Sequence, residues 1–322
     1  MREITLVDAL NEAYQEELRR DDTVFLIGQD IRGGVFNHTM GLVQEFGPER
    51  IIDTPIAESG MFGTAFGAAQ EGFRPIVDFS FGGFSYVAFS ECTVTTGQYH
   101  FLHGSQMPLP LVMTAAVGSG MRLANDHAMS IHGAFAHHPG IKVVMPSTPY
   151  DAKGLMKAAI RDNNPVMLTW HLGTMMDRGH VPEEDYVVPL GVANVVREGT
   201  DITVLANAVQ LKNTLQVAEK LEAEGISCEV IDPRSFVPFD MDTLLQSLEK
   251  TNHLVIVDED WESGGFAATV SSRVMEQGFD LLDAPVIRVC TPNMPLPGGY
   301  MEEYIAPNPD KIEIAIRTVM GQ

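Results

Sequence analysis

Short apolar runs recur along the first half of the chain, and stretches of helical character separate them. Five of these runs are predicted to be strands, and they begin at Thr23 (TVFLIG), Ile76 (IVDFSF), Leu109 (LPLVMTAA), Ile141 (IKVVMPS) and Pro165 (PVMLTW). Strands that are apolar on both faces are typical of a parallel sheet with helices on both sides. Helical periodicity predicts helices over residues 6–19, about 59–70 and 149–161. The first half is therefore predicted to be an α/β domain.

A second unit of the same kind follows. Its predicted strands are DITVLAN, SCEVIDP, HLVIVDED and PVIRVC, and its predicted helices cover about 211–224, 241–250 and 265–277. Between them, GTMMDRGHVPEEDYVVP from Gly173 loses periodicity and gains charge and proline, which is typical of a linker. Since 322 residues exceed one ordinary core, we expect one domain over residues 1–175, a linker over 176–190 and a second domain over 191–322.

The net charge of the chain excludes some classes of binding partner. With 21 Lys and Arg against 43 Asp and Glu, the formal charge of −22 repels nucleic acid and anionic membranes. No stretch approaches the roughly 18 apolar residues of a membrane span, and the amphipathic N-terminal stretch does not resemble a signal peptide. We expect a cytoplasmic protein with no nucleic-acid or membrane partner.

Several common catalytic motifs are missing. Cys92, Cys228 and Cys290 lie far apart with no CxxC pair, so they are predicted to be buried, reduced thiols. No GxSxG and no GxxxxGK[ST] occur, and GSGMRL from Gly118 lacks the third glycine of a dinucleotide fingerprint. Without these motifs, the side chains of this sequence could support the cleavage of a strong bond only if a cofactor performs the chemistry.

Four histidines follow the Gly118 loop within twelve residues. They are His127, His132, His137 and His138. Their spacing matches no common zinc pattern and no cysteine is near, so a metal site is disfavoured. Ligand sites of open parallel sheets lie beyond the carboxyl ends of the strands. We therefore expect one histidine, His127 being nearest the loop, to perform acid–base work.

Glu58 begins the segment ESGMFGTAFGAAQ, which contains no other charge and many small residues. Small residues three and four apart on a helix allow close approach to a neighbour, so the segment is predicted to pack at a buried contact. A buried carboxylate there needs a partner. Alternatively, Glu58 is structural, because acidic residues in the first turn offset the helix dipole.

Four segments together resemble one family of enzymes. They are DTPIAESGMFGTAFGAAQEGFRPIVDF, HPGIKVVMPSTPYDAKGLMKAAIRDNNPV, VPLGVANVVREGTDITVL and GISCEVIDPRSFVPFDMDTLLQSLEKTNHLVIVDE. Over residues 4–316 the chain resembles the beta subunits of thiamine-diphosphate-dependent 2-oxo acid dehydrogenases and acetoin dehydrogenases. The resemblance implies a transketolase-like pyrimidine-binding domain, then a transketolase C-terminal domain, in an α2β2 assembly.

The resemblance also implies roles for particular residues. Glu58 would hydrogen-bond a ring nitrogen of the aminopyrimidine, and Ile56, in the same segment, would belong to the cofactor-binding residues. Phe84 matches an aromatic that packs against the pyrimidine, although a Phe in an apolar run also suits a core. His127 matches a histidine proposed to handle protons or orient the substrate.

The resemblance further bears on ions and on the partner subunit. Asp162 and Asn164 match a loop that binds a monovalent cation in some relatives, and potassium is the candidate ion here. The GDG segment that holds magnesium and the diphosphate in thiamine enzymes is absent here. In the resembled family the alpha subunit supplies that segment, so this chain alone is expected to bind thiamine diphosphate weakly.

The substrate and acceptor stay open at this stage. The family implies a 2-oxo acid or acyloin substrate and a lipoyl acyltransferase partner. Departures from the family pattern fall near the expected site: Asp126 and Ala128 flank the histidine where Gln and Ser are usual, and Ser90 and Glu91 replace Asp and Gln. The alternatives are a thiamine-dependent carboligase subunit without a lipoyl partner and a non-catalytic structural subunit.

Overall fold

The computed structural model describes all 322 residues. The first domain contains strands β1 Arg2–Thr5, β2 Val24–Gly28, β3 Ile51–Asp53, β4 Arg74–Phe81, β5 Val112–Val117, β6 Lys142–Val144, β7 Val166–His171 and β8 Arg178–Val181. Its α-helices are α1 Leu6–Arg20, α2 Leu42–Phe46, α3 Glu58–Gln70, α4 Thr96–Leu102, α5 Asn125–Ala128, α6 His132–Ala136 and α7 Pro149–Arg161. A 3-10 helix, Gly82–Ala88, and a π-helix, Glu91–Thr95, follow β4, and a second 3-10 helix, Leu172–Thr174, follows β7.

The second domain contains strands β9 Asn194–Arg197, β10 Ile202–Ala206, β11 Cys228–Asp232, β12 Ser235–Val237, β13 Leu254–Trp261 and β14 Ile287–Thr291. Its α-helices are α8 Ala208–Glu222, α9 Met241–Thr251, α10 Phe266–Gln277, α11 Glu302–Ile305 and α12 Pro309–Val319, with short 3-10 turns at Phe279–Leu281 and Gly299–Met301. No helix of the chain combines the length and the apolar character that crossing a membrane requires.

Two mostly parallel sheets organise these elements, as predicted. The first has the order β12-β6-β7-β5-β4-β2-β3, and the second has the order β14-β13-β10-β11-β9. All nine predicted strands are present. Two edge strands depart from the parallel pattern, because β9 pairs antiparallel with β11 and β12 pairs antiparallel with β6. Strand β12 lies in the sequence of the second domain, so the first sheet draws one edge from across the domain boundary.

The predicted linker, residues 176–190, is more ordered than its composition indicates. Strand β8 lies inside it and pairs antiparallel with β1. Val181 and Val188 are buried there, and the Tyr186 ring stacks on Tyr150 of α7 at 4.6 Å between centroids. A four-residue strand with one buried side chain is too short to show a period, so the segment was expected to be irregular.

Helix ends follow local capping chemistry. Thr5 and Asp8 form a reciprocal capping box at the start of α1, with the Asp8 amide donating to Thr5 Oγ1 at 3.2 Å. At α7, Thr148 Oγ1 accepts from the Asp151 amide at 3.1 Å, and Pro149 occupies the first helical turn. Helix α8 begins at Ala208, three residues before the predicted start.

Three consecutive carboxylates at the end of β13 join the two domains. Asp258, Glu259 and Asp260, here called the acidic segment, are all buried. Asp258 Oδ1 lies 3.0 Å from His132 Nε2, and Glu259 Oε2 lies 3.0 Å from His171 Nε2. Both histidines belong to the first domain. Buried carboxylates are costly unless paired, so this pairing favours one relative placement of the domains.

Burial alone would raise the pKa of Glu259, but the His171 imidazole and two hydrogen bonds from Ser119 lower it to about 2. For His132, burial opposes the charged form. The charge and hydrogen bond of Asp258 nevertheless raise the pKa of His132 to about 9. The ion pair between His132 and Asp258 therefore persists through neutral pH.

We predict that the contact between His132 and Asp258 makes stability pH-dependent. The folded-state pKa of His132 lies above its ordinary value of 6.5, so its stabilisation is complete below pH 6.5 and is lost as pH rises towards 9. The loss should be at most on the order of 3 kcal/mol. Urea midpoints measured across this window should fall in the wild type. They should stay nearly flat in His132→Gln, whose amide can still donate to Asp258; equal slopes would contradict the assignment.

Candidate active site

Glu58 is the first residue of α3, and only 7% of it is exposed. No side chain caps this helix end, and within the chain the Glu58 carboxylate has neither a cationic partner nor a hydrogen-bond donor. The next residue, Ser59, donates to the Val87 carbonyl at 3.1 Å and so ties the start of α3 to the 3-10 helix Gly82–Ala88. Glu58 is thus a largely buried acid whose carboxylate has no partner within the chain and is free to contact a group from outside it.

One face of α3 consists of small residues and is open. Gly60 and Gly63 are exposed, and a methyl group added at Gly63 or Gly67 would meet nothing within 4 Å. We call these three residues the glycine face. The opposite side of α3 buries residues in the core of the first domain: Met61, Phe62, Ala65 and Ala69. The close helix contact predicted from the sequence is therefore not made within this chain.

His127 and Phe84 lie together at the carboxyl end of the first sheet. Their rings are 5.3 Å apart at 77°, and the ring of Phe81, the last residue of β4, is 4.5 Å from His127 at 72°. These are edge-to-face contacts, which fix the orientation of the imidazole. The structure thus brings together two of the residues that the sequence predicted separately.

The second domain holds the loop that carries His127. Glu259 accepts from the Ser119 amide at 2.9 Å and from the Ser119 hydroxyl at 2.8 Å. Glu302 Oε1 accepts from the Gly120 amide at 2.6 Å, and Asn125 Oδ1 accepts from the Leu296 amide at 3.1 Å. Residues 118–125 are therefore anchored at three points by the acidic segment and by the region before α12.

Glu259, Glu302 and Asn125 were not predicted from the sequence. Only one signal could have drawn attention to Glu259, which is the occurrence of three acids in a row at the end of an apolar strand. The positions of the other two depend on contacts 171 or more residues away along the chain, which no local pattern encodes.

Asp126 places a carboxylate beside His127. Asp126 Oδ2 lies 3.2 Å from His127 Nδ1, although its direction does not complete a hydrogen bond. The side chain of Asp126 is 71% exposed and that of His127 is 35% exposed. A side chain at Gly83 would come within 2.2 Å of the Asp126 carbonyl oxygen, so the 3-10 helix can pack on this loop only with glycine there.

The loop of Asp162 and Asn164 lies at the amino end of β7. Asp162 Oδ1 accepts from the Asn164 amide at 2.8 Å, and Asp162 Oδ2 pairs with Lys142. Arg74 donates to the carbonyl oxygens of Ile160 and Asp162 at 3.0 and 2.9 Å. Asp162 Oδ2 and the two carbonyl oxygens thus already have cationic partners, and a monovalent cation bound to them would compete with Lys142 and Arg74.

Ile56 lies just before α3 and is 82% exposed, which is unusual for so large an apolar side chain. Ser90 and Glu91, two positions that depart from the family pattern, flank the start of the π-helix Glu91–Thr95. Insertions of this kind in a helix are frequent at functional sites.

The four histidines do not form one cluster. His127 packs on Phe81 and Phe84, whereas His132 pairs with Asp258. The rings of His137 and His138 are 5.4 Å apart, away from both. His132, Asp258 and Asp260 do lie within 4.8 Å of one another, as metal ligands would, but a metal ion would have to displace the proton that His132 holds at neutral pH.

The cysteines are free, and Cys92 and Cys228 are buried as predicted, while Cys290 is half-buried. Burial raises the pKa of Cys228 to about 11 and that of Cys290 to about 12, and the pKa of Cys92 rises further. At neutral pH none of them is a thiolate nucleophile.

The fold and the site together define a transketolase-like architecture. Residues 2–174 match the family model of the transketolase pyrimidine-binding domain, and residues 191–312 match that of the transketolase C-terminal domain. A solved structure titled a split gene transketolase, inactive beta4 tetramer, superposes with a TM-score of 0.82 at 22% identity, covering 99% of this chain and 98% of that one.

Named relatives match the chain over nearly its whole length. The beta subunit of acetoin:2,6-dichlorophenolindophenol oxidoreductase from Bacillus subtilis (strain 168) is 40% identical over 100% of this chain and 98% of its own length. From the same organism, the beta subunit of 2-oxoisovalerate dehydrogenase is 41% identical over 98% of each chain, and that of the pyruvate dehydrogenase E1 component is 39% identical over 99% of each. The chain belongs to this family of 2-oxo acid and acetoin dehydrogenase beta subunits.

Proposed function

We propose that this chain supplies the pyrimidine-binding half of a thiamine diphosphate site, in an enzyme that acts on a 2-oxo acid or an acyloin. The acyl unit would pass to the lipoyl group of an acyltransferase component. The observation that carries the proposal is Glu58, a buried carboxylate without a partner at the open end of a helix. Relatives named for pyruvate, 2-oxoisovalerate and acetoin support both substrate classes.

The residues around Glu58 fit the aminopyrimidine ring of the cofactor. The Glu58 carboxylate would hydrogen-bond a ring nitrogen, and Phe84 and Ile56 would offer apolar contact to the ring. When bound, thiamine diphosphate supplies a nucleophilic carbon and a place to hold the electron pair released from the substrate. Because only 7% of Glu58 is exposed, little solvent would compete with its hydrogen bond to the ring.

His127 is suited to act on the substrate. Its edge-to-face contacts with Phe81 and Phe84 hold the ring, and its loop is anchored to the second domain through Ser119 and Asn125. An imidazole held in this way can donate a proton to a substrate oxygen or accept one from it. Neither role requires His127 to contact the cofactor.

We predict that Glu58→Gln slows hydrogen–deuterium exchange at the reactive carbon of the bound cofactor by about 100-fold or more, because an amide cannot hold the proton that a carboxyl group shares with the ring nitrogen. Exchange is followed by NMR on the assembled enzyme, so the result does not depend on the substrate.

Glu71→Gln is the matched control, since Glu71 is exposed at the other end of the same helix. The control should exchange at the wild-type rate. Wild-type exchange in a correctly assembled Glu58→Gln enzyme would show that Glu58 is a structural residue of the helix start.

We infer an alpha subunit as partner, in an α2β2 assembly that completes the cofactor site. The chain has no GDG segment, so magnesium and the diphosphate would be held mainly by the partner. The glycine face of α3 is open, and Ile56 and Val87 beside it are 82% and 64% exposed. A helix face without side chains allows the backbone of another helix to approach closely. A monovalent cation at the loop of Asp162 and Asn164 stays a separate proposal.

Gly63→Leu tests the partner surface. In the isolated chain a Cβ at position 63 would meet nothing within 4 Å, and replacing an interior helix glycine should leave stability unchanged or raise it by up to about 1 kcal/mol. In the complex the same side chain would hold the helices apart. Light scattering and calorimetry with the alpha subunit should therefore show association weakened by at least about tenfold.

The control is Ser272→Leu, which places the same side chain on an exposed position of α10. It should assemble normally. If Gly63→Leu also assembles as well as the wild type, the glycine face is not the contact surface.

A further inference from the structure

The Asp126 carboxylate has an unusual electrostatic setting. His127 is the only cationic partner within 4.0 Å of it. The nearest basic residue along the loop, Arg122, is paired with Glu303. The negative charge of Asp126 therefore has no cationic side chain beside it other than the His127 imidazole, and its side chain is 71% exposed.

The backbone of Asp126 cannot easily move this carboxylate away. Its carbonyl oxygen packs against Gly83, where even a methyl group would not fit. On its N-terminal side, Asn125 is hydrogen-bonded to the Leu296 amide of the second domain. The carboxylate can rotate about its own side-chain bonds, but its point of attachment beside His127 is fixed.

Charge distinguishes the two substrate classes of the proposed function. A 2-oxo acid carries a carboxylate next to the carbonyl that reacts, whereas an acyloin or a diketone is neutral there. Like charges a few ångströms apart repel, even where the groups are exposed to water. The chain as a whole has a formal charge of −22, which adds to the repulsion of an anion. An anionic substrate therefore meets repulsion that a neutral one does not.

We propose that Asp126 determines the substrate class, by disfavouring 2-oxo acids relative to neutral acyloins and diketones at the His127 side of the site. This inference rests on the proposed function and deepens it, since it selects between substrates that the same machinery could process. Asp126 would act through charge, without bonding to the substrate.

Asp126→Asn in the complex with the alpha subunit is the direct test. We expect the ratio of kcat/KM for acetoin to kcat/KM for pyruvate to fall by about tenfold, which corresponds to about 1.4 kcal/mol. Asp126→Glu keeps the charge and should keep the ratio within about twofold. Asp280→Asn, which removes one charge from an exposed 3-10 helix of the second domain, should leave the ratio unchanged.

Two further measurements keep the proposal testable if Asp126→Asn does not assemble. Salt screens exposed charges, so raising the ionic strength from about 0.02 to about 0.5 M should lower the wild-type ratio. Calorimetry should also show that the complex binds the anion methyl acetylphosphonate more weakly than its neutral dimethyl ester. In Asp126→Asn this difference should shrink.

An unchanged ratio in Asp126→Asn, or equal binding of the two phosphonates by the wild type, would overturn the proposal. Turnover of neither substrate class would contradict the proposed function instead, and the two binding constants would still decide whether Asp126 discriminates by charge. A ratio that falls equally in Asp126→Asn and Asp126→Glu would point to shape and would also overturn it.

Discussion

The pairing of buried carboxylates with histidines across the domain boundary is the interaction on which the rest of the structure depends. Asp258 and Glu259 belong to the second domain, yet their partners His132 and His171 belong to the first. Removing one member would leave a buried charge unpaired, which typically costs several kcal/mol. Because Glu259 also accepts from Ser119, the same contact that fixes the domains anchors the loop ahead of His127. The contacts that place the two domains relative to each other therefore also place the candidate catalytic histidine.

A second constraint acts on the other side of the site. Helix α3 buries one face in the core of its own domain and leaves the glycine face open, and Glu58 at its start has no partner in the chain. A buried carboxylate without a partner is costly, and an uncovered face of small residues contributes nothing to the core of its own domain. Both features are explained if a neighbouring subunit and a shared cofactor complete the site. The chain thus carries the histidine and the acid, and the proposed function divides the cofactor's two ends between subunits.

Much of the fold could be predicted from the sequence, for a physical reason. Strands buried on both faces are continuous apolar runs, so the eight internal strands, and with them the two-domain α/β fold, were visible without a structure, as was the edge strand β14. The other three edge strands, β3, β9 and β12, were not predicted: they are short, and β9 and β12 pair antiparallel with strands whose identity depends on the assembled fold. Glu58 and His127 were singled out from the local sequence and Phe84 through family resemblance, and the structure places Phe84 and His127 in contact. The anchoring of the loop could not be predicted, because Ser119 and Glu259 are 140 residues apart and nothing local to either specifies the other.

The central claim is that this chain holds only the pyrimidine end of a cofactor that spans two subunits. Calorimetric titration with thiamine diphosphate and magnesium tests it most directly, with the chain alone in one cell and the chain with its alpha subunit in another. The account predicts weak binding to the chain alone and a dissociation constant of about one micromolar or below for the complex, equivalent to roughly 8 kcal/mol or more. Tight, magnesium-dependent binding to the chain alone would contradict it, because the diphosphate site would then lie within these 322 residues.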